Sequence, residues 1–348
     1  MGRKGQVLGA SMVVLASCGP MDTSDTSPRL DLVLATVDTL ISTESALLAH
    51  PTDIDVGVDG DVYIADARAN HIVHLPANGA AARTIGREGQ GPGEFSRPSV
   101  VRSKPGGLLI FDRGNGRVQY LSREGNFLSV VEAPPQSLAS PLYLQSDGGI
   151  LVGSMGVDSS LVMSFDSAGS LRGLVGEPVV PPVSFFDFGS MKDRIARGEV
   201  PAEFRNNVLT AGAKDDGIWI VLQTEGEIRR YDPSGELLWR QTIDEPQIRI
   251  SREQFFDRNS LIENPMSVAP LRAFADIFLV EDELWILLAT EAPDPAVVLS
   301  MSLSGKVTRR LVIPAGTGAG ALAYYAQEDL LLLGIPDDAQ VLSVRIGG

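Results

Sequence analysis

The run Ile85-Gly86-Arg87-Glu88-Gly89-Gln90-Gly91-Pro92-Gly93-Glu94-Phe95, followed by Ser96-Arg97-Pro98, decides how the chain is read. Its four glycines suggest a phosphate-cradling loop, because glycine lets backbone N–H groups approach an anion closely. Such a loop should feed a helix N-terminus and carry a Lys-Ser/Thr pair. Here Pro92 deletes a donor, no lysine lies in the run, and the residues that follow read as a strand. The run is better read as a connector between two similar β units, which makes the chain a repeat protein.

On the N-terminal side of the connector, four short strands are joined by Gly-containing turns. They are Ile54-Asp55-Val56, Val62 to Asp66, His71 to Leu75 and Ala82 to Ile85, which together make one antiparallel blade. On its C-terminal side a second copy follows about 46 residues on, with Ser99-Val100-Val101, Leu108 to Asp112, Arg117 to Leu121 and Phe127 to Val130. Further copies begin at Leu142, Val208 and Asp276, with decay. The sixth has only Leu322-Ala323-Tyr324, Leu330 to Leu333 and Val341 to Val344, and is one strand short. At the other end of the chain, Leu30 to Leu40 is β-prone and has no hairpin partner nearby. Paired outside Val341–Val344, it completes the last blade and leaves no open edge. The expected fold is all-β: a six-bladed β-propeller over 30–348, closed by an N-terminal strand. A two-layer sandwich gives no reason for the period or for complementary incomplete ends.

Two resemblances follow from these residues. Gly86 to Phe95 with Pro98, and Asp112-Arg113-Gly114-Asn115-Gly116-Arg117-Val118, resemble the NHL-repeat motifs of six-bladed propellers over about 53–131 and only architecturally beyond. His71 replaces the motif's arginine in the first unit, and Ala69 its asparagine. The resemblance implies the fold, while functions of such propellers range from protein- and RNA-binding modules to lyases. At the N-terminus, Arg3 and Lys4 precede an apolar run from Val7 to Leu15, which is too short to span a bilayer. It ends in Leu15-Ala16-Ser17-Cys18, which resembles the lipobox of bacterial lipoproteins. That resemblance implies a signal peptide over 1–17, cleavage before Cys18 and lipidation of this cysteine, the chain's one cysteine. Gly19 is not the aspartate that, by resemblance to the enterobacterial sorting rule, retains a lipoprotein at the inner membrane. The expected location is therefore the bacterial cell envelope, with the outer membrane favoured. The polar, unpatterned residues after Cys18 make 18–29 a flexible tether.

The net charge of −15 disfavours nucleic acid and anionic lipid, both of which call for clustered Lys/Arg. Membrane contact is expected through the lipid anchor only. An envelope protein, a peptide or a small ligand is the expected partner of a monomer.

Antiparallel geometry sorts the loops. First-to-second and third-to-fourth strand turns leave a blade on one face; second-to-third loops and blade-to-blade connectors leave on the other. The tight Gly turns fall on the first face and both long insertions, 179–207 and 244–272, on the second. A short helix is expected over Met191–Arg197, and Ser251-Arg252-Glu253-Gln254-Phe255-Phe256 reads as a capped helix start. The aromatics Phe185, Phe186, Phe188, Phe255 and Phe256 either plug the channel mouth or meet a ligand. With them, Asp66, Arg68, Arg87, Glu88, Arg97, Asp112, Arg113 and Glu225 make up the candidate ligand or partner face.

Catalytic chemistry is thin. Only His50, His71 and His74 exist, and the last two sit three apart on one strand, so they point to opposite sides of the blade. No Gly-x-Ser-x-Gly elbow is present. Loop acids such as Asp66, Asp112, Glu225, Asp294 and Asp337-Asp338 leave Ca²⁺ open, as in six-bladed calcium lactonases. The sequence thus favours an exported, lipid-anchored binding or scaffold module without a cofactor. A calcium- or arginine-assisted lyase or hydrolase acting at the channel mouth is the alternative.

Overall fold

The computed structural model describes residues 30–33, 37–138, 141–183, 187–213, 215–291, 294–316 and 318–346. The expected signal peptide and tether, with Cys18, lie outside the described residues, as do Phe185 and Phe186. Strands β1 (Leu30–Val33) and β2 (Val37–Ile41) come first. Blade one is β3 (Pro51–Val56), β4 (Val62–Asp66), β5 (His71–Leu75) and β6 (Arg83–Ile85). The Gly-rich connector carries β7 (Arg87–Glu88) and β8 (Glu94–Phe95), which pair in parallel. Blade two is β9 (Pro98–Lys104), β10 (Gly107–Asp112), β11 (Arg117–Leu121) and β12 (Phe127–Glu132). Blade three is β13 (Leu142–Leu144), β14 (Ile150–Gly153), β15 (Val162–Phe165) and β16 (Leu171–Val175). Blade four is β17 (Val208–Gly212), β18 (Ile218–Leu222), β19 (Glu227–Tyr231) and β20 (Leu237–Thr242). Blade five is β21 (Phe274–Val280), β22 (Glu283–Leu288), β23 (Ala296–Ser302) and β24 (Val307–Ile313). Blade six has β25 (Ala321–Tyr325), β26 (Leu330–Ile335) and β27 (Gln340–Arg345).

The first strands touch in a closed circuit, β3 to β9, β13, β17, β21, β25 and back to β3. They are the innermost strands of a six-bladed propeller. Its core is divided among the blade interfaces, because a blade is wedged between neighbours on both faces. Tyr63, Ile72 and Ile85 of blade one meet Val101, Leu108 and Leu121 of blade two, for example, and Trp219 and Trp239 of blade four meet Phe274 and Ile286 of blade five. This two-sided burial explains unbroken apolar strands such as Ile218-Trp219-Ile220-Val221-Leu222, every residue of which is buried.

The connector does what its glycines permit. Phe95 is fully buried in the wedge between blades one and two. Gly86 has φ +79°, and a Cβ there would lie 2.2 Å from Phe95 Cε2, so only glycine allows this crossing.

The N-terminal segment closes the ring as expected at one end and differs at the other. β2 pairs antiparallel with β27, Val37 opposite Val344, and completes blade six. The expected single strand Leu30–Leu40 is nevertheless two. β1 lies parallel to β24 and adds a fifth strand to blade five. The reason is length: β27 spans six residues, so the rest of an eleven-residue strand has to satisfy its backbone elsewhere. Ile41, buried with Ile54 and Val341, ties the closing strand into the wedge between blades six and one.

Among the described residues the insertions hold three helices, α1 (Phe188–Ala196), α2 (Ala202–Arg205) and α3 (Pro246–Ser260). α1 begins slightly before the expected Met191, because Asp187 caps it by accepting from Ser190 N at 3.1 Å. The expected helix start at Ser251 is corrected. α3 starts at Pro246, whose fixed φ and missing donor suit the first helical position. Ser251 is instead buried mid-helix and donates to Ala289 O at 3.1 Å, tying α3 to blade five.

Candidate functional site

Both insertions leave on the loop-bearing face, and there they join. Met191 and Ile195 of α1, Phe204 of α2, Phe255 of α3 and Leu271 form a small core separate from the blade wedges. Phe255 is fully buried and meets Phe204 edge-on at 6.0 Å, while Phe256 is half-buried at the border of this cluster. Lys192 of α1 donates to Ile262 O at 2.8 Å and Asn264 O at 2.7 Å, crossing from the first insertion to the second. Arg258 of α3 pairs with Glu291 of blade five at 2.6 Å. Two stretches far apart in sequence thus make one helical cap, fastened to blade five. Beside it, Lys192, Ile195, Phe256, Asn259 and Ile262 line a groove of about 470 Å³.

Of the acids chosen from the sequence, Asp66, Asp112 and Glu225 have protein partners. Asp66 is fully buried; it accepts from Ala49 N and His50 N with one oxygen and from Arg68 N and Ala69 N with the other. Asp112 occupies the same place in blade two, with Ser96 N at 2.7 Å, Asn115 Nδ2 at 2.8 Å, Arg117 Nε at 2.9 Å and Gln119 Nε2 at 3.2 Å. Arg117 goes on to donate to the carbonyls of Gln90, Gly91 and Glu94, so this group shapes the Gly-rich connector. Arg87 pairs with Glu94 at 2.7 Å, and Glu88 is exposed beside it. Glu225 pairs with Arg205 at 2.7 Å and lines a cleft of about 570 Å³ with Glu227, Arg229 and Arg240. Among the described residues no group of three or more His, Cys, Asp or Glu could hold a metal ion. His71 meets Leu47 O at 2.8 Å, and His74 stacks on Tyr63 and meets Asp61 at 2.8 Å.

Arg68, Arg97 and Arg113 are exposed in the loops and connector of blades one and two. Arg97 N donates to Asn70 Oδ1 at 2.8 Å and Gly114 N to Ser96 O at 2.7 Å, which fixes the three loops side by side. Arg272, which the sequence reading passed over, precedes β21 of blade five. Gln223 Oε1 accepts from the next two backbone N–H groups, at 3.1 and 3.0 Å, and holds this position at the rim. Arg272 is crowded by protein although solvent still reaches it. Desolvation, then repulsion by Arg113 and by Arg258, holds its guanidinium below the ordinary arginine range. Blades two and five are opposite in a six-membered ring. Arg113 and Arg272 therefore belong to loops of opposite blades.

Below the mouth lies a second cluster that the sequence reading missed. Innermost strands have an edge without a sheet partner, and carboxylates satisfy it here. Asp53 accepts from Val101 N at 2.8 Å, Asp55 from Ser103 N at 2.7 Å, and Asp276 from Leu322 N at 2.8 Å, each from one blade to the next. Arg102 pairs with Asp53 at 2.5 Å and stacks over Tyr143. Burial pushes Asp55 up to about 7 against the pull of Arg102, and Asp276 likewise to about 7, with the Asp53 charge adding to it. The signal was present: Asp53 and Asp55 are two apart on one strand face, and Asp276 recurs in the first strand of unit five.

No family model matches the chain. Solved structures share its fold. A Bacteroides fragilis protein named as exported superposes with a TM-score of 0.55 at 13% identity, over 92% of this chain and 100% of that one. Virginiamycin B lyase from Staphylococcus aureus gives 0.52 at 11% identity, over 90% of this chain and 99% of the lyase. The calcium-binding protein regucalcin from Agrobacterium tumefaciens gives 0.53 at 10%, over 92% and 96%. The likeness is one of fold. At these identities neither the lyase's reaction nor the calcium site of regucalcin passes to this chain.

Proposed function

We propose that this protein is an exported, lipid-anchored propeller of the bacterial envelope that acts as a binding module through its loop-bearing face. The observation that carries the reading is the fused helical cap. Two insertions separated by a whole blade would each add ordering entropy for nothing if they only bridged strands, yet they build a shared core on one face. Support for export comes from the lipobox resemblance at Cys18 and from the fold shared with a protein named as exported. An enzyme at the channel mouth draws no support from the acids first considered, since Asp66 and Asp112 are buried and satisfied by their own loops.

Site-specific photocrosslinking in cells tests the reading. Leu261 and Met266 stand on the cap, 80% and 68% exposed, and Leu128 and Leu238 stand on outer strands, 48% and 50% exposed. A crosslinker at 261 or 266 should give a discrete adduct, and one at 128 or 238 should not. Adducts only from the outer strands, or from none of the four positions, would reject the loop face as the binding surface.

A further inference from the structure

We infer that the cleft between the outer strands of blade four and the connector from blade three is a binding site for a short peptide with free ends, its carboxylate held by Arg240 and its ammonium by Glu177. The cleft shares no lining residue with the groove beside the helical cap, and the assignment does not rest on the reading of the loop-bearing face.

The cleft has a volume of about 570 Å³, within the range of roughly 300–1,000 Å³ for small-ligand sites. Five charged side chains border it: Glu177, Glu225, Glu227, Arg229 and Arg240. Glu225 pairs with Arg205 at 2.7 Å, and Glu227 with Arg229 at 2.5 Å. That leaves Arg240 and Glu177. Both are exposed, and neither side chain has a hydrogen-bond or ion-pair partner among the described residues. They carry opposite charges and line one recess, yet they do not pair with each other.

The framework spaces them. Arg229 lies directly opposite Arg240 in the register of β19 and β20, so the two side chains stand on the same face of the blade. Like charges in that position cost stability, and Glu227 offsets only Arg229, so a neutral residue at 240 would serve the sheet better. Arg229 is 8% exposed, and its Nη1 donates to Glu177 O at 2.7 Å. One buried guanidinium, anchored by Glu227, thus fixes the connector that bears the free carboxylate relative to the strand that bears the free cation.

A ligand that answers both charges needs an anionic and a cationic group held apart. A single amino acid carries both on one carbon, close enough to require Arg240 and Glu177 in contact. An extended peptide separates its ends by up to about 3.5 Å per residue. The guanidinium fork of Arg240 matches the paired oxygens of a terminal carboxylate. Between the ends, Tyr231, 4% exposed, and the half-buried Leu237 and Val179 supply apolar surface for the peptide's small side chains.

Isothermal titration of the full chain in detergent at low ionic strength tests the assignment with three probes: tri-alanine, its N-acetyl form and its C-terminal amide. Saturable binding is expected for tri-alanine, and binding about tenfold weaker or worse for each blocked form, the cost of one charge-assisted bond. Arg240→Gln should bind tri-alanine and the amide alike, and Glu177→Gln tri-alanine and the acetylated form alike, because each variant lacks the group that reads that end. Arg172→Gln, at an exposed pair with Asp147 in blade three, should leave all three affinities unchanged. Arg240 and Glu177 are exposed, so the variants should fold, and circular dichroism checks that. No saturable binding of tri-alanine, equal binding of the blocked forms by the parent, or the parent's discrimination persisting in either variant overturns the proposal.

Discussion

Two carboxylates of this chain, Asp55 and Asp112, look alike in sequence and do opposite things to stability. Asp112 is fully satisfied by hydrogen bonds. Its removal in Asp112→Ala strips the partners from Ser96 N, Asn115, Arg117 and Gln119 at once and leaves the buried end of Arg117 without its counter-ion. A loss of about 3–5 kcal/mol in urea unfolding is expected, the range for breaking a buried ion pair. Asp55 has a folded pKa of about 7 against an ordinary 3.8, because burial disfavours its charge. Between those values the folded chain holds a proton that the unfolded chain has released. Its stabilising contribution is therefore complete below the lower value, falls as pH rises, and is gone above the upper one. Asp55→Asn can still accept from Ser103 N but has no proton to lose. Relative to the parent, the variant should gain stability from about pH 4 to about pH 7 and level off beyond. Parallel unfolding midpoints for the two proteins across that window would show that Asp55 is not the group.

At the scale of elements, the N-terminal segment acts as two separate latches. β1 extends blade five in parallel, where only Leu32 of its described side chains packs on the wedge between blades five and six. β2 covers the edge of β27 and leads into Ile41 and Leu48, both buried. Deleting residues 1–36 should leave a cooperatively folding chain, lowered by about 1–3 kcal/mol for the part-buried Leu32 and its ladder. Deleting 1–41 should expose β27 as an unpaired edge and give aggregation or dimers, as free sheet edges do. Size-exclusion chromatography with light scattering separates the two outcomes. Equal behaviour of both truncations would mean that ring closure does not depend on β2. The insertions show the same dependence on partners: Met191, Ile195 and Phe204 of the first are buried together with Phe255 and Leu271 of the second.

For the whole molecule, the proposed anchor at Cys18 and the propeller should be separable. Labelling cells with radioactive fatty acid should mark the parent protein and not Cys18→Ala, whose thermal unfolding should match that of the unlipidated parent. Label persisting in the variant would refute the lipobox reading. The blade count, the turn-bearing and loop-bearing faces and the role of the Gly-rich connector were legible in the sequence. They rest on local rules: period, alternation and turn chemistry write themselves into neighbouring residues. Phe95 could be placed between blades one and two because the connector that carries it joins them. Other features depend on partners far away in the chain. The split of Leu30–Leu40 was set by the length of β27, some three hundred residues on. The uses of Asp66 and Asp112 were set by which backbone N–H groups the fold left unpaired. Arg113 and Arg272 fall in opposite blades only because a ring of six puts the second across from the fifth. Local patterning determined the architecture of this protein, and the tertiary structure alone decided which charges become neighbours between blades, such as Asp53 and Arg102, because electrostatic neighbours are chosen by distance in space and not by distance along the chain.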